Sequence, residues 1–134
     1  MEKGYALITG ASQGLGRAIA LQIAERGYGI IAVARTRVKL EETAAACRAL
    51  NGGRVRIVEA DLTAPDAISK LAADVISSGV QLDIVVNNAG EAIWGRFAEK
   101  PLADHLRMMK LNMTVPVELT HLLIPHLKQT KCAY

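Results

Sequence analysis

The residues best suited to chemistry come early in the chain. Thr9-Gly10-Ala11-Ser12-Gln13-Gly14-Leu15-Gly16 sets three glycines between a short apolar run and a helical stripe. Glycine lets the backbone turn tightly and approach a ligand, while unpaired N–H groups and the dipole of a following helix favour negative charge. The segment therefore predicts a cradle for phosphate, at the place where a doubly wound sheet binds a pyrophosphate. Val33-Ala34-Arg35-Thr36-Arg37 follows the next apolar run and carries no carboxylate. Arg35 offers a rigid fork of donors suited to a further phosphate group. Asn112, in Lys110-Leu111-Asn112, is a third oddity. Asparagine is a poor interior helix residue, because its side chain competes with backbone hydrogen bonds, so its presence there asks for another reason.

Other chemistries find little support. His105, His121 and His126 form no i, i+4 pair and have no acidic third ligand at a suitable spacing, so no metal site is expected. Cys47 and Cys132 have no C-x-x-C spacing and read as small buried side chains in a reducing compartment. The net charge of +3 arises from 16 basic and 13 acidic residues spread along the chain, without the basic stripe of a phosphate-backbone reader, so nucleic acid is not an expected partner. The longest apolar run, Tyr28 to Ala34, is far short of the roughly 20 residues that span a bilayer. The glycine segment starts at Thr9, which leaves no room before it for a secretory signal; a cytoplasmic setting is the expectation.

The elements around these motifs alternate. With 134 residues, 51% of them hydrophobic and 22% charged, the chain suits one globular unit or part of one. Residues 4–8 predict a strand buried on both faces. Leu15, Ile19 and Ile23 predict a helix that closes at Gly27. Residues 30–34 repeat the strand, and Leu40, Ala44, Cys47 and Leu50 repeat the helical stripe before Asn51-Gly52-Gly53. A third strand over 55–58 leads to a helix with Thr63 as its cap, Pro65 in its first turn, and Ile68, Leu71 and Val75 on its buried face. A fourth strand over 82–86 ends in Asn87-Asn88-Ala89-Gly90. A long helical region then runs from about 102 to 128, with Leu102, Leu106, Met109 and Met113 expected to face the sheet. Strand and helix in alternation predict an α/β fold with a parallel sheet and right-handed crossovers.

The glycine spacing G-x-x-x-G-x-G, together with N-N-A-G after the fourth strand and Asp61 between them, closely resembles the short-chain dehydrogenase/reductase family, and the resemblance covers all 134 residues. It implies a Rossmann-type doubly wound parallel sheet, ending here after about four strands, and a nicotinamide cofactor used to oxidise alcohols or reduce carbonyl compounds. Carried over position by position, it implies that Gly10, Ser12, Gln13, Gly14, Leu15 and Gly16 line the pyrophosphate. By the same likeness Asp61 and Leu62 hold the adenine ring, Asn88, Ala89 and Gly90 pass beneath the riboses, and Asn87 stabilises the sheet. Asn112 matches the family's active-site asparagine, which helps to hold a proton-relay water. Folds that prefer NAD place an acidic residue at the end of the second strand. Arg35 in that region favours NADP(H) over NAD(H), although Gln13 stands where the family has a second basic residue.

The family's serine and Tyr-x-x-x-Lys pair do not occur in these 134 residues: Tyr5, Tyr28 and Tyr134 have no lysine four residues on. The resemblance therefore implies the cofactor-binding, amino-terminal half of a reductase, an incomplete domain that is inactive by itself, with Lys131-Cys132-Ala133-Tyr134 opening a fifth strand. A nucleotide-binding or interaction module without redox activity is the other reading. Either way a homo-oligomer is expected. The fourth strand would keep an open edge, and Leu119, Leu122 and Leu123 would extend an apolar surface beyond the sheet.

Overall fold

The computed structural model describes residues 3–131, 133 and 134. Its four strands are β1 (Tyr5–Thr9), β2 (Gly29–Ala34), β3 (Val55–Glu59) and β4 (Leu82–Val86). They form one parallel sheet in the order β3-β2-β1-β4. The order reverses between β1 and β4, which opens a crevice at the carboxyl ends of those two strands. Helices α1 (Gly14–Glu25), α2 (Arg37–Asn51), α3 (Ala67–Ser77), α4 (Leu102–Met109) and α5 (Val115–Leu127) complete the fold. One turn of π-helix, Lys110–Thr114, joins α4 to α5.

Alternate strand residues feed two cores. Ala6, Ile8, Ile30 and Ala32 point to α1 and α2; Leu7, Ile31 and Val33 point to α3 and α5. The first core is made largely of small side chains. The buried residues of α1 are Gly16, Ala20 and Ala24, not the expected stripe of Leu15, Ile19 and Ile23, and Leu15 is 70% exposed. Small side chains spaced i, i+4 and i+8 leave no bulk between the helix and Ala6 and Ala32, so shape overrides side-chain hydrophobicity here. On α2, Leu40, Ala44 and Cys47 are buried as expected, but Leu50 is exposed and Asn51 takes the inner place. The Asn51 amide donates to the carbonyls of Tyr28 and Arg54, both at 3.0 Å. Burial raises the pKa of the Cys47 thiol. Cys132 lies outside the described residues.

Two further helix expectations fail. Thr63 does not cap α3, which starts later, with Asp66 as its cap in a left-handed conformation (φ 59°). The Thr63 N–H and hydroxyl turn back instead to Asp61 Oδ1, at 2.9 and 2.7 Å. The long helical region is rotated from its expected register: Leu102, Leu106, Met109 and Met113 are all at least half exposed. The sheet is covered instead by Leu111, Val115, Leu119 and Leu123, so Leu119 and Leu123 are core residues and not surplus apolar surface. The π turn adds a residue to the helical repeat, which breaks any single stripe drawn through it. Beyond β4, the Tyr134 N–H donates to the Asp83 carbonyl at 2.8 Å, and its carbonyl accepts from the Val85 N–H at 2.9 Å. That is one residue's worth of parallel pairing on the strand's outer edge.

Candidate functional site

The turn from β1 into α1 is shaped by close approach. Gly10 has a left-handed φ of 67°, and a Cβ there would meet Asn88 Nδ2 and the Ala89 Cα. At Gly16 a Cβ would run into the Gly10 carbonyl oxygen and Asn88 Nδ2. The N-cap Gln13 is extended and makes no side-chain cap. Among the described residues the N–H groups of Gly14, Leu15 and Gly16 meet no protein acceptor. A helix's first turn leaves such donors to a ligand or water, and they carry the positive end of the dipole. This donor set fits a pyrophosphate.

A cavity of about 350 Å³ opens over that turn. Gly10, Ser12, Gln13 and Gly14 line its floor, and Arg35 stands at the end of β2. Asp61 and Leu62 form the side beyond β3, and Asn88, Ala89 and Gly90 the side beyond β4. Ten of the expected contacts thus share one cavity. Leu15, Gly16 and Asn112 are not part of its lining; the first two bear on it through the helix turn alone.

The two sides are stitched by a residue the motif reading passed over. Thr9 Oγ1 accepts from the N–H groups of Asn88 (3.0 Å) and Ala89 (2.9 Å). The Asn88 amide donates back to the carbonyls of Thr9 (3.1 Å) and Gly10 (3.2 Å). Asn87 instead donates to Thr120 on α5, at 3.0 Å. Asn112 lies in the π turn and grips the next residue of the β4 loop: its Oδ1 accepts from the Glu91 N–H at 2.9 Å and its Nδ2 donates to the Glu91 carbonyl at 2.8 Å. The Glu91 carboxylate pairs with Arg107 of α4 at 2.8 Å, and Arg107 also faces the cavity. Thr9, Lys39, Thr63, Arg107 and Leu111 are site residues that the sequence reading missed. Thr9 opens the glycine segment itself, where its hydroxyl is the signal that could have found it.

Charge divides the cavity. Hydrogen bonds from the Thr63 hydroxyl and N–H hold the Asp61 carboxyl below the usual carboxylate range, with smaller help from the Arg35 and Arg107 charges against its partial burial. Arg37 pairs with Glu41 at 3.2 Å. Arg35, by contrast, has no hydrogen-bond or ion-pair partner among the described residues. No helix among the described residues is long and apolar enough to cross a membrane.

Residues 4–133 match the family model described as short chain dehydrogenase. The chain is 40% identical over 128 residues to a fatty acyl-CoA reductase of Acinetobacter baylyi, an alignment covering 94% of this chain and 43% of that protein. It superposes with a TM-score of 0.88 on an alcohol dehydrogenase from Thermococcus sibiricus complexed with 5-hydroxy-NADP, at 28% identity over 98% of this chain and 56% of that one. The L-sorbose reductase of Gluconobacter frateurii complexed with NADPH and L-sorbose gives a TM-score of 0.87 at 32% identity, covering 96% of this chain and 49% of that one. The chain thus spans less than half the length of the curated relative it matches.

Proposed function

The chain belongs to the short chain dehydrogenase family, and on that premise we propose that its crevice binds NADP(H) in preference to NAD(H). The whole protein would move a hydride between that cofactor and a carbonyl or alcohol substrate. The observation that carries the cofactor choice is Arg35: a guanidinium in the cavity wall, with no hydrogen-bond or ion-pair partner among the described residues, at the end of a strand where Ala34 offers nothing to a ribose hydroxyl. The two superposed relatives complexed with NADPH or an NADP derivative support it.

In this reading the first turn of α1, with Gly10, Ser12, Gln13, Gly14, Leu15 and Gly16, holds the pyrophosphate through backbone donors. Asp61 and Leu62 receive the adenine, and Asn88, Ala89 and Gly90 lie under the riboses. Asn112 acts as a positioning residue: by gripping the Glu91 backbone from both sides it fixes the loop that follows Gly90. When bound, the nicotinamide supplies or accepts the hydride. The 134 residues themselves bind and orient; with no Tyr-x-x-x-Lys among them, they omit general acid catalysis worth about 10² to 10⁴-fold. We therefore infer binding without turnover for this chain by itself, in a reducing cytoplasmic setting. Self-association is part of the same proposal, through the outer edge of β4, which only Tyr134 pairs among the described residues, and the exposed Leu102, Leu106, Met109 and Met113.

The test is a titration of NADPH and NADH into the wild-type chain and Arg35→Asp. A charge-assisted hydrogen bond contributes about 1.5–3 kcal/mol, so the variant should lose on the order of tenfold or more in NADPH affinity while NADH binding holds. Equal wild-type affinities, or an unchanged NADPH affinity in Arg35→Asp, would contradict the proposal.

A further inference from the structure

A second cation faces the cavity from α2. Lys39 lines the same wall as Arg35, and its ammonium donates to the Gln13 amide oxygen at 2.7 Å. That bond joins α2 to the glycine turn across the cavity mouth. Gln13 carries no charge of its own, but it holds one in place. An ammonium has three donors, and Gln13 occupies one of them. Among the described residues Lys39 has no carboxylate partner, whereas Arg37 and Arg48 both turn to Glu41.

The charge balance gives Lys39 a task. A phosphomonoester carries about −1.5 to −2 at neutral pH. Arg35 supplies one positive charge, and part of its field already falls on the ionised Asp61 carboxylate. Arg35 and Asp61 offset each other, as do Arg107 and Glu91, so that without Lys39 the mouth is close to neutral; Lys39 makes it positive. We propose that Lys39, positioned by Gln13, is the second protein ligand of the 2′-phosphate and sets the preference for NADP(H) jointly with Arg35. This rests on the dinucleotide reading above and adds to it a specificity-determining residue outside the glycine motif.

The experiment is calorimetric titration of NADPH and NADH into the wild-type chain, Lys39→Ala, Lys39→Arg and Gln13→Ala, with circular dichroism confirming the fold of each. Lys39 is exposed on a helix, so its replacement leaves the core untouched. Lys39→Ala should weaken NADPH about tenfold and leave NADH within about twofold. Lys39→Arg should retain most of the affinity, and Gln13→Ala, which keeps the cation but frees it, should lose several-fold. A wild-type preference for NADPH that survives undiminished in Lys39→Ala overturns the role of Lys39 alone, as does an equal loss for both cofactors. A wild-type chain that binds the two cofactors alike overturns the reading beneath it as well.

Discussion

Along the wall that runs from β1 to α2, the crevice takes its shape from backbone geometry; along the wall from β4 to α5, it is held by side-chain hydrogen bonds. On the first wall Gly10 and Gly16 permit an approach that a single Cβ would block, and main-chain N–H groups at the turn are joined by the Arg35 and Lys39 side chains. On the second, Asn88, Asn112 and the Glu91–Arg107 pair fix a loop with no regular structure of its own. The two walls therefore fail in different ways. One tolerates many side chains at its exposed positions but no bulk at its two close approaches. The other tolerates bulk but not the loss of a donor or acceptor. Thr9 belongs to the first wall by position and to the second by chemistry, and it joins them.

The largest effect should come from breaking that joint. Thr9→Val keeps the shape but strands the N–H groups of Asn88 and Ala89, each worth about 1–3 kcal/mol when left unsatisfied. Urea denaturation should show a loss of that order or more, with Thr9→Ser recovering most of it. Wild-type stability in Thr9→Val would mean that the walls do not depend on the hydroxyl.

Gly16→Ala attacks the first wall by bulk alone. The added methyl meets the Gly10 carbonyl and Asn88 Nδ2, and overpacking of this kind costs about 1–3 kcal/mol. The same variant should also lose dinucleotide binding, because the turn must open to admit it. Retained binding with reduced stability would separate the packing role of Gly16 from the phosphate cradle.

The smallest effect concerns Asp61. Its folded-state pKa lies below the unfolded value, so its carboxylate stabilises the protein above about pH 4, and that contribution fades as pH falls through the folded pKa. For so exposed a group the effect should stay below about 1 kcal/mol. Asp61→Asn should flatten this part of the acid limb of a stability–pH curve; an acid limb identical to wild type would remove the Thr63 bonds from the account.

The same division governs what the sequence made legible. The strands, the parallel order and the glycine turn announce themselves, because apolar runs and glycine spacing encode backbone constraints directly. Gly10, Ser12 and Arg35 follow from that spacing and from side-chain chemistry, whereas Asp61 and Asn88 were implied by the family resemblance alone; all five line one cavity. The buried face of α1 was masked because small residues, not large ones, let it lie close to the sheet. Before the π turn α4 already buries His105 and not Leu102 or Leu106, and from the turn onward the inward face passes to Leu111 and Val115 and not Met109 or Met113, so a single stripe drawn through both helices fails. Lys39 and Arg107 reach the cavity across helices, and no local pattern points to a contact of that kind.

The central claim is that the crevice between β1 and β4 holds a dinucleotide phosphate. The most direct measurement is a backbone amide NMR titration of the 134-residue chain with NADPH. The account predicts shifts concentrated at Gly14, Leu15 and Gly16, at Arg35, and at Ala89 and Gly90. Amides around the separate cavity of about 440 Å³ lined by Ser69, Lys110 and His121 should stay still. Shifts confined to that second cavity, or none at the first turn of α1 at saturating NADPH, would contradict it.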